Sequence, residues 1–309
     1  MTVSSETADE DDDRVVVFDR GARRVLVMDS VSYASAEDAG QTIVTGSHGG
    51  TSAGEYARRR GVACVVCNDA GFGKNRSGVA GLRDLDRNGI AGIAVGHQTA
   101  RIGDGLDAWE AGVVSYVNDT ARRAGFTAGR RLQDQLRSFL TGDHGFPPWT
   151  VRRPGGRAGL RRNASRDGER PGEQVFREVV LEHLGRNVVV MDSISFATAA
   201  DRDHIVVAGS NGGRTAGEAG LRHGCHCVVL NDAGIGKDGS GIAGIRALDA
   251  GAVAGIAVSH DSAEISNGMD TWENGIISYV NETAAAAEFA VGQRVRDAIA
   301  RHLASGAAR

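Results

Sequence analysis

The sequence of 309 residues predicts an α/β protein, a tandem duplication of a Rossmann-like, mostly parallel βα unit arranged as an intramolecular pseudo-dimer. Three observations support this prediction. The sequence repeats itself at a constant offset, short apolar runs alternate with segments of helical periodicity, and glycine-rich loops follow the apolar runs. Alternating strands and helices are typical of parallel sheets with right-handed crossovers, so we expect a doubly wound sheet in each copy.

The repeat aligns residues 25–118 with residues 188–281 without a gap. Met28-Asp29-Ser30 recurs as Met191-Asp192-Ser193, and more than half of the aligned positions are identical. Gene duplication explains this similarity. Two like domains in one chain usually descend from a homodimer and keep its two-fold packing, which also leaves association into a homo-oligomer open.

The first copy is predicted to begin with short apolar strands at 14–19, 24–29 and 42–45. A helix at 53–60 should follow, because Ser52 and Glu55 have the spacing of a capping box and Gly61 can end the helix. The next apolar run predicts a strand at 62–67. Ser77 can cap a helix at 78–87, and the continuous apolar run at 90–95 predicts another buried strand.

Two helices are predicted in the last part of the copy. Asp107 and Glu110 fit the N-cap and N3 positions of a helix that Gly125 would close. Its buried face is predicted from apolar side chains at helical spacing: Trp109, Val113, Tyr116, Val117 and Ala124. A final helix at 127–140 is predicted from the stripe Leu132, Leu136, Phe139 and Leu140.

The predicted domains are an acidic disordered tail at 1–13, repeat 1 at 14–140, a basic Gly/Pro/Arg-rich linker at 141–173 and repeat 2 at 174–305. The tail lacks the apolar core of a signal peptide, and no apolar run approaches the length of a membrane span, so a cytoplasmic location is predicted. The four cysteines lie in strand-like runs, as expected for buried residues of a reducing compartment. The net charge of −4 argues against nucleic acid as the main partner, and the linker arginines fit a solvated tether.

Three loops of each copy are expected at the carboxyl edge of its sheet, where ligands bind in open α/β folds. In the first copy these are 46–50, 68–74 and 97–105. Glycines let backbone N–H groups approach an anion, and Lys74 adds a positive charge, so a small carboxylate or phosphate is the predicted partner. The loops have neither the spacing of a P-loop nor that of a dinucleotide-binding fingerprint.

The two copies differ at the tips of these loops. The differing pairs are His48/Asn211, Asn75/Asp238, Gln98/Asp261, Arg101/Glu264, Gly103/Ser266 and Asp104/Asn267. Asp69, Lys74 and His97 are kept in both copies. Two interpretations follow: either copy one is catalytic and copy two is a degenerate scaffold, or the copies form a composite site.

The preferred mechanism uses His48 as general acid or base, because the ordinary pKa of histidine lies near neutrality. Asp104 or Asp69 would orient His48. The predicted catalytic residues are therefore His48, Asp69 and Asp104, and the predicted substrate-binding residues are Ser47, Gly49, Gly50, Lys74, His97, Arg101, Lys237 and Asp238. Such a set suits hydrolase, lyase or isomerase chemistry without a cofactor.

Three alternatives remain open at this stage. A metal site could be formed by His48, Asp69, His97 and Asp104, although no ligand pair has a diagnostic spacing and no metal is predicted. A Cys/His hydrolase could use His48 with Cys67, an arrangement that caspase-like peptidases also use. A non-catalytic ligand-binding or scaffolding pseudo-dimer would instead use the Asp-Ala-Gly-x-Gly-Lys loop of both copies.

Overall fold

The computed structural model describes residues 14–20, 23–141 and 176–305. The predicted acidic tail lies outside these described residues, as does the predicted linker apart from Thr141. Within the described ranges, no helix combines the length and apolar character that a membrane span requires.

Each repeat folds as an α/β unit with one six-stranded mixed sheet. The strands of the first repeat are β1 (Val15–Arg20), β2 (Arg23–Met28), β3 (Thr42–His48), β4 (Cys64–Asn68), β5 (Ala91–Val95) and β6 (Val114–Val117). Its α-helices are α1 (Thr51–Arg60), α2 (Ala80–Asp84), α3 (Gly105–Ala111), α4 (Asp119–Arg123) and α5 (Leu132–Thr141).

The second repeat has the same elements in the same order. Its strands are β7 (Arg177–His183), β8 (Arg186–Met191), β9 (Ile205–Asn211), β10 (Cys227–Asn231), β11 (Ala254–Val258) and β12 (Ile277–Val280). Its α-helices are α6 (Arg214–His223), α7 (Ala243–Ala247), α8 (Gly268–Asn274), α9 (Glu282–Ala286) and α10 (Val295–Ala304). The tandem two-unit architecture predicted from the repeat is therefore confirmed.

The strands of each sheet lie side by side in the order of the sequence. In the first repeat, β2 to β5 are parallel, while the edge strands β1 and β6 are antiparallel to their neighbours. A doubly wound sheet reverses its strand order part-way, and ligands bind in the crevice at that reversal. The doubly wound prediction is wrong, because the strand order of the described residues never reverses.

Successive strand residues point to opposite faces of the sheet and build two apolar layers. On one face, Leu26 and Ile43 pack with residues of α1 and α2 such as Ala57 and Leu82. On the other face, strand residues pack with Trp109 of α3 and with residues of α4 and α5. The sheet is therefore covered on both faces, as the continuously apolar strand runs predict.

The predicted helix from Asp107 to Gly125 is wrong in its middle part. Val114–Val117 forms strand β6, which pairs antiparallel with β5. Asp104 caps α3 by accepting from the Asp107 N–H, and Asn118 caps α4 by accepting from the Ala121 N–H. Two short helices and an edge strand thus replace one long helix, because the free edge of β5 offers hydrogen-bond partners that local periodicity does not reveal.

Two further capping predictions are also wrong. Helix α1 begins after Gly50 without a side-chain cap, and Glu55 instead pairs with Arg58 and Arg59 on the helix surface. Ser77 precedes the start of α2 and accepts a hydrogen bond from the N–H of Ile265, at 3.1 Å. The Ser77 hydroxyl therefore joins the first repeat to the second.

Candidate functional site

The three loops of repeat 1 meet at the carboxyl edge of the sheet, as expected. The Gly103 N–H donates to the Gly46 carbonyl at 2.7 Å, and the Asn68 side-chain amide donates to the Ala100 carbonyl at 2.9 Å. A Cβ on Gly46 would lie 2.3 Å from the backbone nitrogen of Asp104, so only glycine allows this approach. Glycine density at this edge therefore reflects close packing of the loops.

The same edge of each sheet contacts the other repeat. The Lys74 N–H donates to the His260 carbonyl, and the Lys237 N–H donates to the His97 carbonyl, both at 2.7 Å. Four buried apolar residues complete the contact: Ala70, Ile102, Ala233 and Ile265. The glycine-rich loops thus bind one another across the two repeats.

Both loop lysines are paired with carboxylates of the opposite repeat. Lys74 Nζ lies 2.7 Å from Asp270 Oδ1, and Lys237 Nζ lies 2.7 Å from Asp107 Oδ1. Asp107, predicted to cap a helix, is 8% exposed and belongs to this ion pair. Sequence reasoning missed the pairing because the partners are far apart along the chain. The signal in the sequence was that this lysine and this aspartate are both kept in the two copies.

His48 hydrogen-bonds within its own loop. Its Nδ1 accepts the Gly50 N–H at 3.1 Å, and Asn211 Oδ1 accepts the Gly213 N–H at 3.0 Å at the equivalent place. Burial lowers the pKa of His48 to about 4, so the ring is neutral at pH 7 and carries its proton on Nε2. His48 and Asn211 therefore supply an equivalent hydrogen-bond acceptor. The same turn between strand and helix forms in both copies although the residue differs.

The carboxylates expected to orient His48 have other partners. Asp104 caps α3 and accepts from the guanidinium of Arg101, whereas Asp69 is bonded to His97. Arg101 Nη1 also lies 3.0 Å from Asp238 Oδ2. At the corresponding place, Asn75 Nδ2 donates to Glu264 Oε1 at 2.7 Å. The four positions at which the copies differ are therefore in contact two by two, and each contact joins one repeat to the other.

The remaining predicted binding residues serve the turn between β3 and α1. Ser47 Oγ accepts the Val31 N–H at 2.9 Å. A Cβ on Gly49 would lie 2.6 Å from Leu82, and one on Gly50 would lie 2.8 Å from His48 Nδ1. These glycines allow close packing within repeat 1 and, at Gly50, against repeat 2, because a Cβ there would lie 2.7 Å from Ser266 Oγ.

An Asp–His pair recurs at the equivalent place in each repeat. His97 Nδ1 lies 2.8 Å from Asp69 Oδ1, and His260 Nδ1 lies 2.9 Å from Asp232 Oδ1. The carboxylates are buried, while the histidine side chains are 25% and 23% exposed. Because an ionised carboxylate only accepts, Nδ1 is the donor and Nε2 keeps its lone pair in the neutral ring.

Both carboxylates are held in the ionised form. Burial raises the pKa of Asp69, but hydrogen bonds from the His97 side chain, Ser115 and two backbone N–H groups outweigh it and hold the pKa below its usual range. The same balance lowers the pKa of Asp232. The hydrogen bond to Asp232 raises the pKa of His260 above its ordinary value. The Asp232–His260 pair therefore stabilises a protonated imidazole.

The two Asp–His pairs lie next to each other where the repeats meet. A Cβ on Gly71 would be 2.9 Å from His260 Cδ2, and one on Gly234 would be 3.0 Å from His97 Cδ2. Each imidazole therefore lies against the glycine that follows the aspartate of the opposite pair. The charge of Asp69 also contributes to the raised pKa of His260.

Comparison with known protein families, with curated proteins and with solved structures finds no match.

The geometry of the site bears on two alternatives drawn from the sequence. Cys67 is fully buried in β4, and burial raises the pKa of its thiol to about 12, which argues against a nucleophilic role. Among the described residues, no group of three or more His, Cys, Asp or Glu side chains has the arrangement of a metal site. His48 and Asp104 in particular are separately engaged.

Proposed function

We propose that the protein is an enzyme that transfers protons on a small anionic molecule, with His97 and His260 as general acid–base groups. The observation that carries this proposal is the pair of buried aspartates that hold Nδ1 of each partly exposed histidine. Asp69 and His97 belong to the set expected from the sequence, whereas His48 is replaced as the general base.

An imidazole oriented in this way is suited to proton transfer. The carboxylate fixes the tautomer, leaves Nε2 to accept a proton and stabilises the imidazolium that forms. Hydrolase, lyase and isomerase reactions all use such a step. The anionic substrate is proposed from Lys74, whose side chain is 29% exposed although its ammonium is paired with Asp270.

We also propose that the two repeats form a pseudo-dimer about an approximate two-fold axis. The proposal is supported by the exchange of partners between copies: Lys74–Asp270 corresponds to Lys237–Asp107, and the Ser77 contact to Ile265 corresponds to the Ser240 contact to Ile102. Equivalent surfaces meet in this way in dimers with two-fold symmetry. Such a pseudo-dimer would carry two equivalent acid–base sites in one chain.

The acid–base proposal is tested by proton exchange in D2O. The full chain is incubated with a set of 2-oxo and 2-hydroxy carboxylic acids, and deuterium incorporation at carbon is followed by ¹H NMR. In the same samples, hydrolysis of p-nitrophenyl acetate and p-nitrophenyl phosphate is measured. We expect His97→Gln and His260→Gln each to remove the turnover of its own site, and the double variant to remove all of it.

His183→Gln serves as the matched control, since His183 ends β7 outside both pairs. Turnover that survives in the double variant would contradict the proposal, as would ¹⁵N NMR spectra that place the neutral proton of His97 on Nε2.

A second candidate function is a non-catalytic scaffold or ligand-binding protein. It is favoured by the engagement of both loop lysines in ion pairs between the repeats. In that case the His97→Gln and His260→Gln variants would lower the free energy of unfolding, while no exchange or hydrolysis would be detected in the unmodified chain.

A further inference from the structure

A cleft of about 470 Å³ lies where α1 and α2 of repeat 1 face the loop 264–269 of repeat 2. Its volume falls within the range of about 300–1,000 Å³ that small-molecule sites occupy. The lining includes charged and apolar side chains: Arg83, Phe176, Asp192, Glu264, Ile265 and Met269. Neither histidine of the Asp–His pairs lines this cleft, so it is a separate feature of the junction.

Opposite charges line the cleft, and two of the charged groups have spare hydrogen-bonding capacity. The guanidinium of Arg83 has no hydrogen-bond or ion-pair partner among the residues that the structure describes. Asp192 uses Oδ1 to accept the Gly268 N–H at 3.0 Å, which leaves its second oxygen for another donor. Burial raises the pKa of the half-buried Asp192 carboxyl, as expected for a carboxylate that has no cationic partner among the described residues.

Four of the sequence differences between the loops of the two copies lie at this cleft. Asn75, Glu264, Ser266 and Asn267 line it, and each of them differs from its counterpart in the other copy. At the corresponding junction, Arg101 replaces Glu264 and joins Asp104, Asp107 and Asp238 in one ion-pair network.

The contacts beside the cleft are of a different kind. There the side-chain amide of Asn75 donates a hydrogen bond to the carboxylate of Glu264. Ser266 Oγ lies 3.0 Å from Ser52 Oγ. The junction of Arg101 thus has an additional ion pair with Asp238, where the junction beside the cleft has the uncharged Asn75 against Glu264.

We propose that this cleft binds a small zwitterion, an α-amino acid with an apolar side chain. The ligand carboxylate would pair with Arg83, because guanidinium groups bind carboxylates with two parallel hydrogen bonds. The ammonium group would be bound by Asp192 and Glu264. The apolar side chain would contact Ile265, Met269 and Phe176.

The proposal is tested by isothermal titration calorimetry on the full chain with L-leucine, L-methionine and L-phenylalanine. Each zwitterion is compared with analogues that lack one charge, such as 4-methylpentanoate and 3-methylbutylamine for leucine. We expect one site per chain for at least one of the amino acids, with its single-charge analogues at least about tenfold weaker. Arg83→Gln and Asp192→Asn should each weaken amino-acid binding by about tenfold or more.

The corresponding residues of the other junction supply matched controls. Arg246→Gln and Asp29→Asn remove the same groups at the equivalent positions and should leave the affinity unchanged. The proposal is overturned if none of the three amino acids binds at about 10 mM. It is also overturned if binding survives in Arg83→Gln and Asp192→Asn, or if the control variants weaken it equally.

Discussion

The guanidinium of Arg101 donates to the carboxylate of Asp238 across the two repeats, with Nη1 3.0 Å from Oδ2. The corresponding positions of the other junction hold Glu264 and Asn75, which form a hydrogen bond of their own. A dimer of two copies of repeat 2, packed in the same way, would place the carboxylate of Glu264 against that of Asp238. A dimer of two copies of repeat 1 would place the guanidinium of Arg101 against the uncharged amide of Asn75. The observed charges therefore favour the pairing of unlike repeats.

The Arg101–Asp238 contact is predicted to contribute a small, salt-sensitive coupling. Both side chains are substantially exposed, at 37% and 64%, so we expect a coupling of about 0.5 kcal/mol at low salt. A double-mutant cycle with Arg101→Gln and Asp238→Asn, followed by urea denaturation, measures it. High NaCl should reduce the coupling. A coupling of zero at low salt would show that these charges do not select the partner repeat.

The two lysine–aspartate pairs are predicted to differ in strength despite their equal geometry. Lys74→Met leaves the carboxylate of Asp270 without a cation, and we expect it to lower the free energy of unfolding by about 3 kcal/mol. Lys237→Met should cost less, because Arg101 Nη2 still lies 3.1 Å from Asp107 Oδ1. Urea denaturation of both variants tests the order. Equal losses, or a larger loss for Lys237→Met, would contradict it.

His48 is predicted to make the protein sensitive to acid. Its folded-state pKa of about 4 lies below the ordinary value of 6.5, so the unfolded chain binds a proton more readily. His48 should therefore contribute a loss of stability as the pH drops from about 6.5 towards 4, of about 2 kcal/mol between pH 7.5 and pH 5. Burial also lowers the pKa of His226, to about 4, so that residue adds a separate contribution. The His48→Asn variant should lose the contribution of His48 and still accept the Gly50 N–H, as Asn211 does for Gly213. Urea denaturation of both proteins at the two pH values is the test. An unchanged dependence in the variant would assign the acid sensitivity to other groups.

The features that depend on local pattern were predictable from the sequence. The duplication, the parallel strands and the meeting of the three loops all follow from repeats and periodicity that neighbouring residues carry. Strand β6 was missed, because Val114–Val117 has helical spacing when it is considered without the β5 edge that it pairs with. Strand order, too, is set by tertiary packing.

The residues of the candidate site were predictable from the sequence, but their contacts were not. Asp69 and His97 were recognised as candidates, but their mutual hydrogen bond depends on loops that follow different strands. Lys74 and Asp270 are separated by most of the chain, so no local pattern links them. His48 was favoured by its residue type alone, whereas its burial and its bond to Gly50 follow from the fold.

Gly71 provides a test of how closely the two Asp–His pairs approach. Its φ is +72°, and a Cβ there would lie 2.9 Å from His260 Cδ2 and 3.2 Å from the Cα of Gly234. Gly71→Ala should therefore lower the free energy of unfolding by about 1 kcal/mol through backbone strain and by about 1–3 kcal/mol through overpacking. Because the imidazole must shift, the His260 resonances and pKa should change as well, which NMR titration measures.

Gly40→Ala separates these two contributions. Gly40 has nearly the same φ, +73°, and a Cβ there would have no atom within 4 Å, while the second repeat carries Asp203 at the equivalent place with φ +61°. We expect the backbone cost alone for this variant, with the His260 resonances unchanged. Equal destabilisation by the two substitutions would mean that the imidazole of His260 does not pack against Gly71. The pKa of His260 would then stay the same when His97 is replaced by glutamine.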